Sequence, residues 1–242
     1  MASSKAVIAF DLYGTLLSTE SIAAELAKLF GDDNAKSLAA SWRRYQLEYT
    51  WRINSMGLYR TFSEITRAAL HHAVAEAGLS LGNEDADKLM DAYNGLNVFP
   101  DVPEALKTVE QTPDVEALIF SNGTDEMVSA SVKTSPQLQP YAGLFKGLVT
   151  VDGLKVFKPD RRTYEHLVQE VGKQDALEAV WLVTANPFDV VGASAAGLMT
   201  AWIDRAGKGW VDMLGDVIGG IEPTLVAPGV DKAIEAIVGS LG

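Results

Sequence analysis

Short apolar runs recur along the chain, with helix-length polar and mixed segments between them. Ala6-Val7-Ile8-Ala9-Phe10 is the first, and Val115 to Ser121, Gly147 to Val151, Ala179 to Thr184 and Leu198 to Asp204 have the same character. Each is nearly continuous rather than alternating, the pattern of a strand buried on both faces. The segments Asp125 to Ser135, Arg161 to Val171 and Pro187 to Ala196 carry helical patterns. This β-α alternation predicts an α/β fold built on a doubly wound parallel sheet. Right-handed crossovers then bring the strand ends at Asp11, Ser121 and Thr184 to one rim.

From about Ser18 to Val98 that rhythm stops, and helical patterns follow one another with no strand between them. Trp42, Tyr45, Gln46 and Tyr49 share one face of a helix, with Arg43, Leu47 and Thr50 on a neighbouring face. Further helices are predicted around Phe62 to Gly78 and Asn83 to Asn94. The division expected is a core of residues 1–17 and 99–242, with residues 18–98 inserted as a helical lid domain. The chain returns through Asn97-Val98-Phe99-Pro100-Asp101 to a helix beginning near Val102. The glycine-rich tail after Gly207 ends in a helix predicted over Asp231 to Ser240.

With 242 residues, 48% of them hydrophobic, the chain can bury a sizeable core. A formal charge of -12 disfavours nucleic acid and anionic membranes as partners, since either needs a basic stripe that is not there. The absence of cysteine excludes disulfides, a thiol nucleophile and thiolate metal sites. Met1-Ala2-Ser3-Ser4-Lys5 leads into an apolar run too short for a signal sequence, so a cytoplasmic protein is expected. His71-His72 is not a metal pair, because adjacent residues on a helix point apart.

Chemistry gathers at the strand ends. Asp11 closes the first strand ahead of Leu12-Tyr13-Gly14-Thr15, and is the candidate nucleophile. Ser121-Asn122-Gly123 supplies a hydroxyl, an amide and a backbone corner suited to an anion. Lys158, before Pro159, is a cation able to keep Asp11 ionised, and Asn186 and Asp189 follow the fourth strand. Each also has a plainer reading taken alone. Asp11 and Asn186 suit caps, Ser121 and Asn122 suit turns, Lys158 and Arg43 suit solvent, and the aromatic residues from Trp42 to Tyr59 suit packing within the lid or between subunits.

Taken together and in this order, these residues resemble the haloacid dehalogenase superfamily, whose members pair a Rossmann-like core with a cap. Phosphatases of that superfamily carry Asp-x-Asp in the first motif and an acidic pair in the fourth. Here those places read Asp11-Leu12-Tyr13 and Val183-Thr184-Ala185-Asn186-Pro187-Phe188-Asp189, which leaves little to hold magnesium. The helix Trp42-Arg43-Arg44-Tyr45-Gln46-Leu47-Glu48-Tyr49-Thr50-Trp51, together with Phe10 to Leu16 and Lys158-Pro159-Asp160, is similar to the (S)-2-haloacid dehalogenase branch.

The resemblance implies hydrolytic dehalogenation of short (S)-2-haloalkanoic acids to (R)-2-hydroxy acids, without a metal or other cofactor, and the aromatic faces of the helical lid favour a homodimer. It assigns attack on carbon to Asp11 and halide capture to Arg43, with Asn186 and Phe188 shaping the same pocket. Ser121 and backbone N–H groups beside Asp11 would hold the substrate carboxylate, with Leu12 and Asn122 among the substrate contacts. Lys158 would balance Asp11, and Asp189, aided by Thr15 and Asn186, would activate water. Tyr164 would orient Lys158 or Asp189, and Thr184 would keep the hydroxyl of the serine that relatives often carry. Tyr13, Leu47 and Phe62 would form the apolar wall. Relatives also often have serine at Ala185, tryptophan at Phe188 and glutamine at Arg44. A magnesium-dependent phosphatase of the same superfamily is the alternative function.

Overall fold

A computed structural model describes residues 5–241, so Met1 to Ser4 and the leader reading that rests on them lie outside the described residues. Six strands, β1 (Ala6–Phe10), β2 (Val115–Ser121), β3 (Phe145–Thr150), β4 (Val180–Thr184), β5 (Met199–Ile203) and β6 (Leu225–Ala227), form one sheet in the order β3-β2-β1-β4-β5-β6. Every neighbouring pair is parallel. All residues of β1 and β4 are buried, as their unbroken apolar character requires in a sheet covered on both faces. The strand order reverses between β1 and β4, and open α/β sheets bind ligands beyond the carboxyl ends of strands at such a point. Phe10 pairs with both Ile119 and Val183, so Asp11 emerges in the middle of that rim.

Around the sheet lie α5 (Val102–Glu110), α6 (Asp125–Thr134), α7 (Arg161–Glu170), α8 (Pro187–Ala195), the single turn α9 (Leu214–Val217) and α10 (Val230–Ser240). Pro187 at the first helical position of α8 and the Thr124 side chain accepting from Met127 N at the start of α6 fix where these helices begin. The strands expected at 147–151 and 198–204 run over 145–150 and 199–203 instead. Lys146 is exposed and Gly147 has no side chain, so neither extends the apolar signal of β3. The short edge strand β6 was not expected from its glycine- and proline-rich surroundings.

Between β1 and α5 the chain forms four helices, α1 (Ala23–Phe30), α2 (Asp32–Ser55), α3 (Phe62–Glu76) and α4 (Asn83–Tyr93), with no strand of the sheet among them. Gly31, at φ 78°, separates α1 from α2 in a conformation that favours glycine. Thr61 and Glu64 make a reciprocal capping box at the start of α3. Of the α2 face read from the aromatic spacing, Trp42, Tyr45 and Gln46 are buried and Tyr49 is partly buried, while Thr50, read on the neighbouring face, is buried as well. The two crossings into this block are stitched together. Leu17 bridges Val98 in antiparallel fashion, Ser18 N donates to Asn97 O at 2.8 Å, and Phe99 N donates to Leu16 O at 3.1 Å. No helix among the described residues is long and apolar enough to cross a membrane.

Candidate active site

Ten residues border a small cavity above the rim: Asp11, Tyr13, Arg43, Leu47, Phe62, Ser121, Asn122, Lys158, Asn186 and Phe188. All ten belong to the set singled out from the sequence. Arg43, Leu47 and Phe62 come from α2 and α3, so the helical block roofs the cavity while the strand ends floor it. Larger surface depressions lie elsewhere among the described residues, lined mainly by exposed or partly exposed side chains away from these strand ends.

The Asp11 carboxylate is 6% exposed and its two oxygens are used differently. Oδ2 accepts from the Thr15 hydroxyl and from Asn186 Nδ2, each at 2.7 Å, and from the Thr184 hydroxyl at the long distance of 3.4 Å. Oδ1 accepts, among the described residues, from Lys158 Nζ alone, at 3.3 Å. The Thr15 hydroxyl in turn accepts from Ala185 N at 2.9 Å. An amide N–H can only donate, so the hydroxyl proton is directed at Asp11.

Lys158 is 1% exposed, and its three ammonium protons have three acceptors: Asp11 Oδ1, Asp189 Oδ2 at 2.9 Å and the Phe120 carbonyl at 2.8 Å. Asp189 is wholly buried, and its Oδ1 accepts from the Tyr164 hydroxyl at 2.8 Å. Burial pushes the Asp189 carboxyl above the usual carboxylate range, Lys158 pulls against this, and the neighbouring Asp11 charge adds to the rise. Burial and the Asp189 charge likewise keep the Tyr164 phenol protonated well above its ordinary range. Tyr164 therefore serves Asp189, the second of the two partners open to it from the sequence.

Arg43 reaches down from α2. Its Nη2 donates to the Tyr13 carbonyl at 2.8 Å and to Asn186 Oδ1 at 3.3 Å, and its Nη1 donates to Gln46 Oε1 at 2.7 Å. Asn186 thus stands between the two charges, with its oxygen toward the guanidinium and its nitrogen toward Asp11 and the Tyr13 carbonyl. That orientation is the only one in which every partner is complementary. Ser121 Oγ accepts from Gly123 N at 3.0 Å, and Asn122 Oδ1 accepts from Lys158 N at 2.9 Å. Asn122 therefore fixes the loop that carries the lysine as well as bordering the cavity.

Five of the residues singled out do not border the cavity. Thr15, Thr184, Tyr164 and Asp189 stand behind Asp11 and Lys158 and act on them through the bonds above. Leu12 does not border the cavity with its side chain, which is wholly buried in the core, so a contact from it to substrate can come only from its backbone. No described residue accepts a hydrogen bond from the N–H of Leu12 or of Asn122. Tyr13 turns its hydroxyl away from the carboxylate to Ser131 Oγ at 3.2 Å, with its ring stacked on Phe62 and burial holding the phenol protonated. His72, set aside as a ligand, stacks on Tyr45 and meets the Tyr49 hydroxyl at 2.7 Å.

Three contributors were not given a role from sequence. Gln46 accepts from Arg43 and from the Tyr93 hydroxyl while donating to Thr66 Oγ1 at 2.7 Å, which aims the guanidinium. Its place one helical turn beyond Arg43 was the available signal. Gly192 and Arg205 act through tertiary contacts that leave no local trace. Among the described residues no group of three or more His, Asp or Glu is placed to hold a metal ion, and Lys158 occupies the space between Asp11 and Asp189.

Comparison with known proteins gives the same direction. The family of haloacid dehalogenase-like hydrolases matches residues 5–197. The (S)-2-haloacid dehalogenase of Pseudomonas sp. (strain YL) is 35% identical over 85% of each chain. Haloacetate dehalogenase H-2 of Moraxella sp. (strain B) is 33% identical over 95% of this chain and 96% of its own. The structure of L-2-haloacid dehalogenase from Xanthobacter autotrophicus with chloropropionic acid covalently bound superposes with a TM-score of 0.82 at 26% identity, covering 97% of this chain and 99% of that one. The chain therefore belongs to the haloacid dehalogenase-like hydrolases, in the branch of the (S)-2-haloacid dehalogenases.

Proposed function

We propose that this chain hydrolyses the carbon–halogen bond of short (S)-2-haloalkanoic acids, giving (R)-2-hydroxy acids and halide through an ester on Asp11. The observation that carries the reading is the bridge at Asn186, which is bonded both to the nucleophile Asp11 and to the halide-receiving Arg43 on one small cavity. Its support is the kinship just described, including the relative that holds chloropropionic acid covalently.

In the first step Asp11 Oδ1, the less engaged oxygen, attacks the halogen-bearing carbon, and the halogen leaves with the bonding electron pair toward Arg43. Oδ2 stays fixed by Thr15 and Asn186, so the carboxylate is presented in one orientation, and such positioning supplies up to about 7–11 kcal/mol of a barrier. The free N–H groups of Leu12 and Asn122, with Ser121, take the substrate carboxylate. Tyr13, Leu47, Phe62 and Phe188 keep bulk water from the departing ion, which strengthens its attraction to the guanidinium.

In the second step water adds to the ester carbonyl carbon of Asp11, the bond from that carbon to the substrate oxygen breaks, and the departing oxygen takes one proton of the water to become the hydroxyl of the product as the Asp11 carboxylate is restored. Asp189 is the final acceptor of the water's other proton. It lies behind Lys158, so the ammonium passes one proton to Asp189 as it takes one from the water. Residues 18–98 serve as the cap over the core of 1–17 and 99–242. The setting is cytoplasmic and the assembly a homodimer, supported by the exposed Met56 and Leu58 on the cap. A magnesium-dependent phosphatase is disfavoured, because the residue two beyond the nucleophile is a buried tyrosine and Ala185 offers no oxygen ligand.

The test is halide release from (S)-2-chloropropionate in the presence of a chelator. Chloride and (R)-lactate are expected, and Asp11→Asn removes both. Silence across a panel of chloro and bromo acids would overturn the proposal. In a single turnover in heavy-oxygen water the label should enter Asp11, and label found directly in lactate would exclude the ester.

A further inference from the structure

We infer that Arg205 is a positioning residue for the nucleophile, holding the Thr15 backbone so that the Thr15 hydroxyl sets Asp11 Oδ2. The inference rests on Asp11 being the attacking group of the proposed reaction.

Arg205 follows β5 by two residues and takes part in no motif singled out above. Its Nη2 donates to the Thr15 carbonyl at 2.9 Å. The same nitrogen and Nε grip Asp101, at 2.8 Å to Oδ2 and 3.0 Å to Oδ1, a forked geometry that only a guanidinium offers. Asp101 Oδ2 also accepts from Val230 N at 2.6 Å, at the start of α10. The face of the guanidinium lies 3.7 Å from the centre of the Phe99 ring. The fork is therefore held on three sides before it reaches Thr15: by a carboxylate, by the aromatic face, and by a helix that steadies that carboxylate.

Thr15 is where this arrangement meets the chemistry. Its carbonyl is held by Arg205, and its hydroxyl is held between Ala185 N and Asp11 Oδ2. A one-residue slip of the Thr15 backbone would break the 2.7 Å bond to the nucleophile, leaving Asp11 free to rotate Oδ2 toward substrate. Phe99 and Asp101 lie on the chain returning from the helical block, and Leu16, next to Thr15, pairs with Phe99 N. Arg205 thus joins both crossings to the nucleophile from below. Its partners are all protein groups, its side chain does not border the cavity, and it acts on the reacting atoms only through Thr15.

The experiment is a double-mutant cycle of Arg205→Met with Thr15→Val, read by halide release from (S)-2-chloropropionate. Alone, Arg205→Met should lower kcat at least ten-fold with KM changed less than three-fold. Alone, Thr15→Val should lower kcat similarly. On the Thr15→Val background the arginine change should cost less than three-fold more, because the bond through which it works is already gone. Arg205→Lys, which reaches Asp101 but cannot span to Thr15 with a planar fork, should recover little of kcat while keeping the fold by circular dichroism. It carries the cycle if the methionine variant does not fold. An equal loss on both backgrounds, or full activity in Arg205→Lys, would overturn the inference. Failure of the wild-type chain to release halide would instead strike the proposed function. Amide exchange at residues 14–18 would then decide the inference alone, with faster exchange in Arg205→Lys supporting it and unchanged exchange rejecting it.

Discussion

The Tyr164 hydroxyl reaches the Asp189 carboxylate at 2.8 Å because α8 carries no side chain at Gly192. A Cβ there would stand 2.5 Å from that hydroxyl and 2.7 Å from Pro159 Cβ, closer than non-bonded atoms tolerate. Gly192→Ala should therefore displace Tyr164, costing about 1–3 kcal/mol of stability by overpacking. Tyr164→Phe keeps the ring and loses only the bond. Thermal unfolding should place the alanine variant clearly below the phenylalanine variant, with both slower than wild type in halide release. Equal melting temperatures would show that the helix yields without disturbing the tyrosine.

Lys158 is the shared counter-ion of two buried carboxylates. Lys158→Met leaves Asp11 and Asp189 facing one another without a counter-ion, and breaking a buried pair costs about 3–5 kcal/mol. Urea unfolding should show that loss, and adding Asp189→Asn to it should restore much of the stability without activity. No rescue by the second change would mean the lysine matters for its packing against Phe120 rather than for its charge.

The pH dependence of folding should carry the mark of Asp101. Burial opposes its ionisation, but the Arg205 fork and the Val230 N–H outweigh that and hold its carboxyl below the usual carboxylate range. A depressed folded value means the stabilisation is complete above the unfolded carboxylate pKa and is lost as pH falls through the folded one. Denaturant titrations from pH 6 to pH 2.5 should therefore show a steeper acid loss in wild type than in Asp101→Asn. Parallel curves would place the shift elsewhere.

Substrate size should be set at the Trp51 and Phe188 contact, where the two rings meet edge to face at 5.3 Å between α2 and α8. Phe188 borders the cavity and Trp51 backs it from the partly exposed side. Trp51→Ala should shift kcat/KM toward longer 2-chloro acids by about ten-fold, the range a methylene contributes in an apolar pocket. An unchanged ratio of 2-chlorobutanoate to 2-chloropropionate would assign chain-length choice to Leu47 and Phe62 instead.

Much of the architecture could be read before any coordinates, because β1, β2 and β4 are buried enough to show as unbroken apolar runs. β6 escaped notice since an edge strand of three residues, with Val226 exposed, has no run to display. The break between α1 and α2 rests on the backbone angle of Gly31, and a lone glycine within a helical pattern has more than one meaning. The cavity lining was legible because its members sit in compact motifs at strand ends and on one helix. Gly192 and Arg205 were not, since each matters only through a neighbour distant in sequence, brought close by the packing of α7 on α8 and by the sheet order, while Gln46 had only its place one turn beyond Arg43 to mark it. Asp189 and Tyr164 were named from sequence, but their place behind Lys158 rather than on the cavity required the fold.

The antiparallel bridge between Leu17 and Val98 makes the two ends of the helical block neighbours. A module suspended from adjacent ends can be exchanged for another, or shortened to a turn, without rethreading a single strand of the sheet. The floor of the site, with Asp11, Ser121, Lys158 and Asn186, is thus independent of the roof in its connectivity. Selectivity is open to revision by swapping one contiguous segment while Asp11 stays where it is.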